Sequence, residues 1–109
     1  MGSNELISLA HLKLKINYMN VKVCNEWGVP NQFVIYTDKG TFFQSYESII
    51  AFISADEATV KLDENSWDYS NTTGKYRNKF LGMDKKSIEK AIKRGDIILA
   101  DLNKNGIHS

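Results

Sequence analysis

The side chains best suited to chemistry crowd into one short stretch of the C-terminal half, where aromatic, hydroxyl and basic residues follow one another closely. Trp67 and Tyr69 could stack on nucleobases, and Lys75, Arg77 and Lys79 could neutralise phosphates, as in proteins that bind single-stranded nucleic acid. Chemistry of this kind is binding rather than catalysis, because the stretch contains no nucleophile held by a base. The stretch therefore predicts a positive binding surface for phosphate or for an acidic protein.

A second interpretation of the same stretch is structural. Tyr76 and Phe80 are four residues apart, so they share one side of a helix, and packing onto a sheet requires that spacing. Trp67 would then be a third core anchor, and the lysines would form the wetted side of the helix. The spacing favours this alternative.

Charge is distributed unevenly along the chain, although 14 basic and 13 acidic residues almost cancel. The segment from Lys75 to Arg94 holds eight basic residues against two acids, and the segment from Asp38 to Asp68 holds seven acids against two lysines. Such a chain predicts either attraction between its own two halves or a positive surface offered to a partner. In the second case Lys86, Lys90 and Lys93 extend the surface along a second helix.

The remaining reactive residues indicate neither metal binding nor nucleophilic catalysis. Cys24 has no second cysteine, and the two histidines, His11 and His108, stand near the ends of the chain. A zinc site needs several such ligands, and a catalytic nucleophile needs a base that is held by an orienting acid. We therefore expect no metal and no cofactor.

Asp63, Glu64 and Asp68 are carboxylates close enough in sequence to suggest an acid pair. Local crowding of this kind is more typical of a solvated loop, and glycoside chemistry would also need a cleft. The sequence thus predicts a protein that is not an enzyme, with catalysis by these carboxylates as a distant alternative.

Length and composition predict one domain. A chain of 109 residues with 42% apolar and 25% charged residues can bury a single core. A lone cysteine forms no internal disulfide, and no secretion leader or long apolar run is visible, so we expect a cytoplasmic protein that does not contact a membrane. Residues 20–103 form the predicted domain, residues 1–19 an N-terminal extension that is partly flexible or a cloning remnant, and residues 104–109 a disordered tail.

The first part of this domain shows the alternation and turn residues of an antiparallel meander. The continuous apolar run from Ile49 to Ile53 indicates a strand that is buried on both faces. Before the meander, residues 4–10 suit a short helix and residues 12–18 alternate like a strand, so the structure of that segment stays open. The predicted strands are residues 21–24, 33–37, 41–46, 48–53 and 59–62.

The hydrophobic period then changes from two to about 3.6 residues. Ser70 or Asn71 can cap the start of a first helix, and Asp84 can cap the start of a second. A glycine stands at the end of each predicted helix. Residues 97–102 predict a last strand that returns to the sheet at an edge or beside the first strand. The predicted class is α+β, an antiparallel sheet of five or six strands with two C-terminal helices on one face and a final returning strand.

Three segments carry a resemblance to a known family: residues 31–35, residues 40–51 and residues 67–81, the last reading WDYSNTTGKYRNKFL. Over about residues 20–103 the chain resembles small proteins encoded by phages and prophages of Gram-positive bacteria that carry a domain of unknown function. The resemblance implies a genomic context and no activity. Phage accessory proteins of this size often act stoichiometrically on a host target, including defence nucleases.

Together, the charge pattern and the resemblance predict a non-enzymatic phage-type accessory protein that binds a host or phage macromolecule and inhibits a host defence nuclease, in the manner of an anti-CRISPR protein. The alternative is a nucleic-acid-binding module that uses its basic helical face. The predicted binding residues are the same for a protein and for a nucleic acid: Trp67, Tyr69, Lys75, Arg77, Lys79, Lys86, Lys90 and Lys93.

Overall fold

The computed structural model describes residues 20–104, so the interpretations of residues 1–19 and of the tail from residue 105 onward lie outside the described residues. Six strands form one sheet in the order in which they occur along the chain, and two helices separate the last two strands. This confirms the predicted α+β class. The elements are β1 (Lys22–Cys24), β2 (Gln32–Tyr36), β3 (Gly40–Ser45), β4 (Ser48–Ser54), β5 (Val60–Asp63), α1 (Asn71–Leu81), α2 (Lys85–Arg94) and β6 (Ile97–Ala100).

The first five strands form an antiparallel meander, as predicted, but β6 is parallel to β5. Val60 pairs with Ile97, and Leu62 pairs with Leu99. The sheet is therefore mixed rather than purely antiparallel, because the two helices return the chain to the starting end of β5 before β6 begins. Of the two predicted places for the last strand, the edge is right, and β6 does not lie beside β1.

The two helices cover one face of the sheet and share its main apolar core. Phe43, Ala51 and Leu62 lie side by side on that face, and each of them is fully buried. Burial of this apolar area is the dominant force that holds the helices on the sheet. The helical side chains in or against this core are Tyr76, Phe80, Leu81, Ile88, Ala91 and Ile92.

A β-bulge lets β4 serve both faces of the sheet. The register passes from Phe43–Ala51 to Gln44–Ile49, which leaves Ile50 without a partner in β3. Ile50 and Ala51 therefore both belong to the helix-side core, whereas Ile49 belongs to a second cluster. The predicted burial on both faces is confirmed. The buried members of the second cluster are Ile35, Phe42, Ile49 and Leu102.

Capping side chains explain where the helices begin. Ser70 accepts a hydrogen bond at 3.1 Å from the backbone N–H three residues later, and Asp84 accepts the equivalent bond at 2.8 Å. Of the two predicted caps for α1, Ser70 rather than Asn71 is used. Each helix ends at a glycine in the left-handed conformation, Gly82 or Gly95.

Asn103 ties the chain that follows β6 back to the bulged strand. Its side-chain oxygen accepts the N–H of Ile49 at 2.8 Å, and its side-chain N–H donates to the Ile49 carbonyl at 2.9 Å. Asp63 at the end of β5 also holds the segment that follows β6, because its carboxylate accepts the N–H of Leu102 at 3.0 Å. One amide side chain thus satisfies both backbone groups of a residue beside the bulge.

We expect Asn103→Ala to lower the free energy of unfolding by about 1–3 kcal/mol, because it leaves the backbone groups of Ile49 without these partners. Urea denaturation followed by circular dichroism measures the change. The control is Asn65→Ala, since the Asn65 side chain is exposed and makes no hydrogen bond within residues 20–104. Equal losses of stability in the two variants would contradict the role given to Asn103.

Candidate binding surface

The outer side of α1 carries two lysines directly opposite its buried side. Thr73, Gly74 and Arg77 are the buried residues of this helix. Successive residues of a helix are turned by about 100°, so Lys75 and Lys79 point away from the sheet. Both lysines are exposed.

α2 presents three more lysines in the same direction. It buries Ile88 and Ala91 against the sheet. Lys86, Lys90 and Lys93 fall on the opposite side of the helix and span about 10 Å along its axis. Because both helices lie on the same face of the sheet, all five side chains face outward on one side of the protein. We call this set the lysine surface: Lys75, Lys79, Lys86, Lys90 and Lys93.

The lysine surface is not neutralised by the acidic half of the chain within residues 20–104. The ion pairs of this part join Arg77 and Lys85 to Asp68, and Arg94 to Asp96. Attraction between the two halves, which the charge pattern also predicted, is therefore limited to Asp68 and its two cations. The lysines of the surface form no ion pair in this part of the chain, although Asp84 attracts Lys86 and Lys90, and Lys75 Nζ lies 5.4 Å from the centre of the Tyr76 ring. Their positive charge can attract an anionic partner.

Arg77 lies inside the protein and not on the lysine surface, which corrects its prediction as a contact residue. It is 1% exposed, and its Nη1 donates to the Trp67 carbonyl at 2.7 Å and to the Asp68 carboxylate at 3.0 Å. Its Nε and Nη2 donate to Asn78 Oδ1 at 3.1 and 2.8 Å. Every guanidinium nitrogen thus has a partner, as a buried cation requires.

The two predicted aromatic contacts differ in exposure. Trp67 packs against the helix-side core, and the guanidinium carbon of Arg77 lies 5.2 Å from the centre of its ring. This cation–π contact occupies the Trp67 ring, so it is poorly placed to stack on a base. Tyr69 is 52% exposed just before α1 and remains available to a partner.

Asp68 connects the two helices electrostatically. Its Oδ1 receives Arg77 of α1, and its Oδ2 lies 2.7 Å from Nζ of Lys85 in α2. Partial burial raises the pKa of Asp68, but the hydrogen bonds from Lys85 and Arg77 outweigh this and hold the pKa below its ordinary value. The carboxylate is therefore charged and shared between two cations.

The carboxylates that were considered as an acid pair have separate surroundings. Asp63 is 2% exposed and accepts hydrogen bonds from the N–H and hydroxyl of Ser66 and from the N–H of Leu102. Asp68 is engaged by Arg77 and Lys85, and Glu64 is exposed. Within residues 20–104, no three acids, histidines or cysteines come together as metal ligands.

A groove of about 420 Å³ adjoins the lysine surface. Trp27 and Phe80 are among its apolar lining residues, and Lys79 lines it too. At the groove the hydroxyl of Tyr36 donates a hydrogen bond to Glu26. This bond, together with a smaller effect of burial, raises the pKa of Tyr36 to about 12.

The groove was not predicted, because its residues come from separate elements. Trp27 lies in the loop between β1 and β2, and its ring packs against Phe43 and Tyr76 at centroid distances of 5.7 and 5.3 Å. These contacts bring the loop between β1 and β2 over the helix-side face of the sheet. Because this wall of the groove is formed by a loop, it has no hydrophobic periodicity by which the sequence could predict it.

Comparison with known proteins gives one match. Residues 14–98 match DUF8033, a family of unknown function, and this is more than half of the chain. No curated protein and no solved structure matches. In the part of the chain that the structure describes, no helix has the length and apolar character needed to cross a membrane.

We expect Asp68→Asn to lower the free energy of unfolding by about 1–3 kcal/mol, because it removes the counter-charge of the buried Arg77 while the Asp68 side chain, one-third exposed, keeps part of its hydration. Lys85→Gln is the control and should lower the free energy of unfolding much less than Asp68→Asn does, since Lys85 is exposed and water screens its ion pair. Denaturant unfolding measures both changes, and equal effects would refute the assignment. The difference between wild type and Asp68→Asn should shrink as the pH falls through the lowered pKa of Asp68, because a depressed carboxyl pKa stabilises the folded state only at higher pH.

We expect NMR titration of ring-labelled tyrosine to show Tyr36 ionising near pH 12, and Glu26→Gln to bring its pKa back toward 10.0. Because the raised pKa favours the protonated phenol in the folded state, the stability that Tyr36 contributes is complete below its ordinary pKa and is lost as the pH rises toward 12. Glu57→Gln, which changes another carboxylate of the groove, is the control and should leave the pKa of Tyr36 unchanged. The hydrogen bond is not the cause if both variants lower that pKa alike.

Proposed function

Since the chain belongs to DUF8033, whose function is unknown, we propose from its surface that it is a non-enzymatic accessory protein that binds an anionic macromolecule. The lysine surface carries this proposal, because its five exposed ammonium groups have no ion pair within residues 20–104. The resemblance to phage and prophage proteins directs the proposal to a host or phage partner. A host defence nuclease is the class of partner that we name, and inhibition is the proposed effect.

Two pairs of lysines within the lysine surface oppose the stability of their helices. Lys75 and Lys79 are four residues apart on α1, as are Lys86 and Lys90 on α2. Like charges at this spacing destabilise a helix by about 0.2–0.5 kcal/mol for each pair. Lys79 and Lys93 lie in the last turns of their helices, where a cation is favourable, but the two like-charged pairs are better explained by contact with a partner than by helix formation.

The two helices hold the lysines in a fixed arrangement. Asp68 binds Arg77 of α1 and Lys85 of α2, so one carboxylate links the buried side of α1 to the exposed first residue of α2. The lysines then occupy a surface about 10 Å long on α2, beside the two lysines of α1. An acidic patch on a protein that complements this arrangement would gain both affinity and a fast rate of association.

Nucleic acid is the second candidate, and the exposure of the lysines and of Tyr69 favours it. Lysines contact phosphates without regard to sequence, and an exposed tyrosine can stack on a base. Two of the predicted contacts, Arg77 and Trp67, are engaged with each other inside the protein. The surface therefore offers charge but little stacking, which is why we place an acidic protein first.

Two variants of equal net charge test the proposal. The first reverses the three lysines of α2, Lys86→Glu, Lys90→Glu and Lys93→Glu. The second is the control and reverses three exposed lysines elsewhere: Lys22, Lys39 and Lys104. In a plasmid-cleavage assay with an RNA-guided nuclease from the host, we expect wild type and control to inhibit at stoichiometric ratios, and the α2 variant to require at least about tenfold more protein. If the α2 variant inhibits as well as wild type, the lysine surface does not bind the nuclease.

Salt dependence distinguishes the nucleic-acid alternative. Fluorescence anisotropy with labelled duplex and single-stranded DNA of random sequence gives the affinity at each salt concentration. If all five lysines contact duplex phosphates, the slope of log affinity against log salt approaches about −4.5, and the α2 variant loses about 2.7 of that slope. The lack of binding at low salt would exclude this alternative.

A further inference from the structure

β6 is an edge strand with exposed apolar side chains on both faces of the sheet. It pairs with β5 on one side, and no other strand within residues 20–104 pairs with its outer side. Ile98 is 48% exposed and Leu99 is 40% exposed. Unpaired backbone groups beside large apolar side chains form a template for another strand.

The two edge strands of the sheet differ in how well they are protected against pairing with a strand of another molecule. β1 is three residues long and presents the charged side chain of Lys22 to solvent. β6 is only one residue longer, but it reads IILA and contains no charge, no proline and no bulge. Edge strands that stay unpaired usually carry one of these features, so the composition of β6 indicates an edge that another strand covers.

A cavity of about 290 Å³ adjoins the same edge, between α2 and β6. Trp67, Ile92 and Leu99 give it an apolar lining. Glu89 and Lys93 also line it, and these two residues of opposite charge lie one helical turn apart on α2. The edge therefore combines an apolar strand with a positive and a negative group of α2 that line the same cavity.

We propose that a second copy of the chain pairs with this edge, related to the first by a two-fold axis perpendicular to the sheet near the middle of β6. The two β6 strands then run antiparallel, and so do the two α2 helices above them. Glu89 of one copy is directed toward Lys93 of the partner subunit, and Lys93 toward Glu89 of the partner subunit. Such reciprocity is what a two-fold interface requires, because the same patch must complement itself.

This charge arrangement favours a second copy over an unrelated extended peptide. A peptide could use the backbone of β6 and the apolar cavity, but it has no need of a paired acid and base at this spacing. The rotation also keeps both helix layers on the same side of the combined sheet. Two lysine surfaces then lie side by side, with Lys93 of each copy engaged in the dimer contact and the other four lysines of each copy left to face a partner. The inference does not depend on the proposed function, since its test measures only self-association.

Sedimentation equilibrium of the full chain over a wide concentration range measures the dimer. We expect Ile98→Lys to weaken dimerisation by at least about tenfold, because it places a charge in an apolar strand contact. Ile98 is half exposed, and circular dichroism will verify that the variant folds. The matched control is Tyr46→Lys, which changes an apolar side chain of equal exposure, 48%, in the turn between β3 and β4 and should leave the dimer intact.

A charge exchange tests whether the partner is a second copy in this orientation. Glu89→Lys alone and Lys93→Glu alone each place like charges opposite each other across the axis, so we expect both to weaken the dimer. The double variant restores the opposite charges and should recover dimerisation to near the wild-type level. A wild type that is monomeric throughout, a dimer that Ile98→Lys leaves unchanged, or a double variant no better than the single ones would each overturn the proposal.

Discussion

The buried guanidinium of Arg77 is the constraint on which the helical half of the protein depends. A cation that leaves water loses its hydration, and the loss is tolerated only where hydrogen bonds and a counter-charge replace it. The Trp67 carbonyl, the Asp68 carboxylate and the Asn78 amide supply these contacts. Because Arg77 lies in the middle of α1 and the same carboxylate also holds Lys85, the loop after β5, the middle of α1 and the start of α2 are fixed together. The buried side of α1 contains Arg77, and the buried side of α2 contains Ile88 and Ala91. The lysine surface lies on the opposite sides of these helices and therefore faces outward.

Local signals predicted the elements of the fold well, because strands, caps and helix ends depend on near neighbours in sequence. Ser70 and Asp84 cap the helices as predicted, and the apolar run of β4 is buried on both faces. The direction of β6 was missed, since it depends on the combined path of two helices and three connections. The bulge at Ile50 was missed for a similar reason, because register is a property of two strands and not of one.

For one predicted binding residue, Arg77, the sequence contained the correct signal, but a different signal was given more weight. Arg77 follows Thr73 by one helical turn, so helical periodicity alone places it on the buried side of α1. Its charge suggested the surface instead, because an arginine is seldom fully buried. The outward positions of Lys75 and Lys79 follow from the same period and could be predicted. No comparable signal exists for the groove with Tyr36, whose residues come from loops and strands that meet only in the folded protein.

The parallel pairing of β6 with β5 also bears on the order in which the chain can fold during synthesis. Strands of the meander are joined by short turns, whereas Val60 meets Ile97 only after both helices have been made. We therefore expect the five-strand meander to leave the ribosome and assemble first. Until the helices arrive, Phe43, Ala51 and Leu62 face water and β5 is an open edge, and a nascent chain in that state is prone to aggregate unless a chaperone covers it.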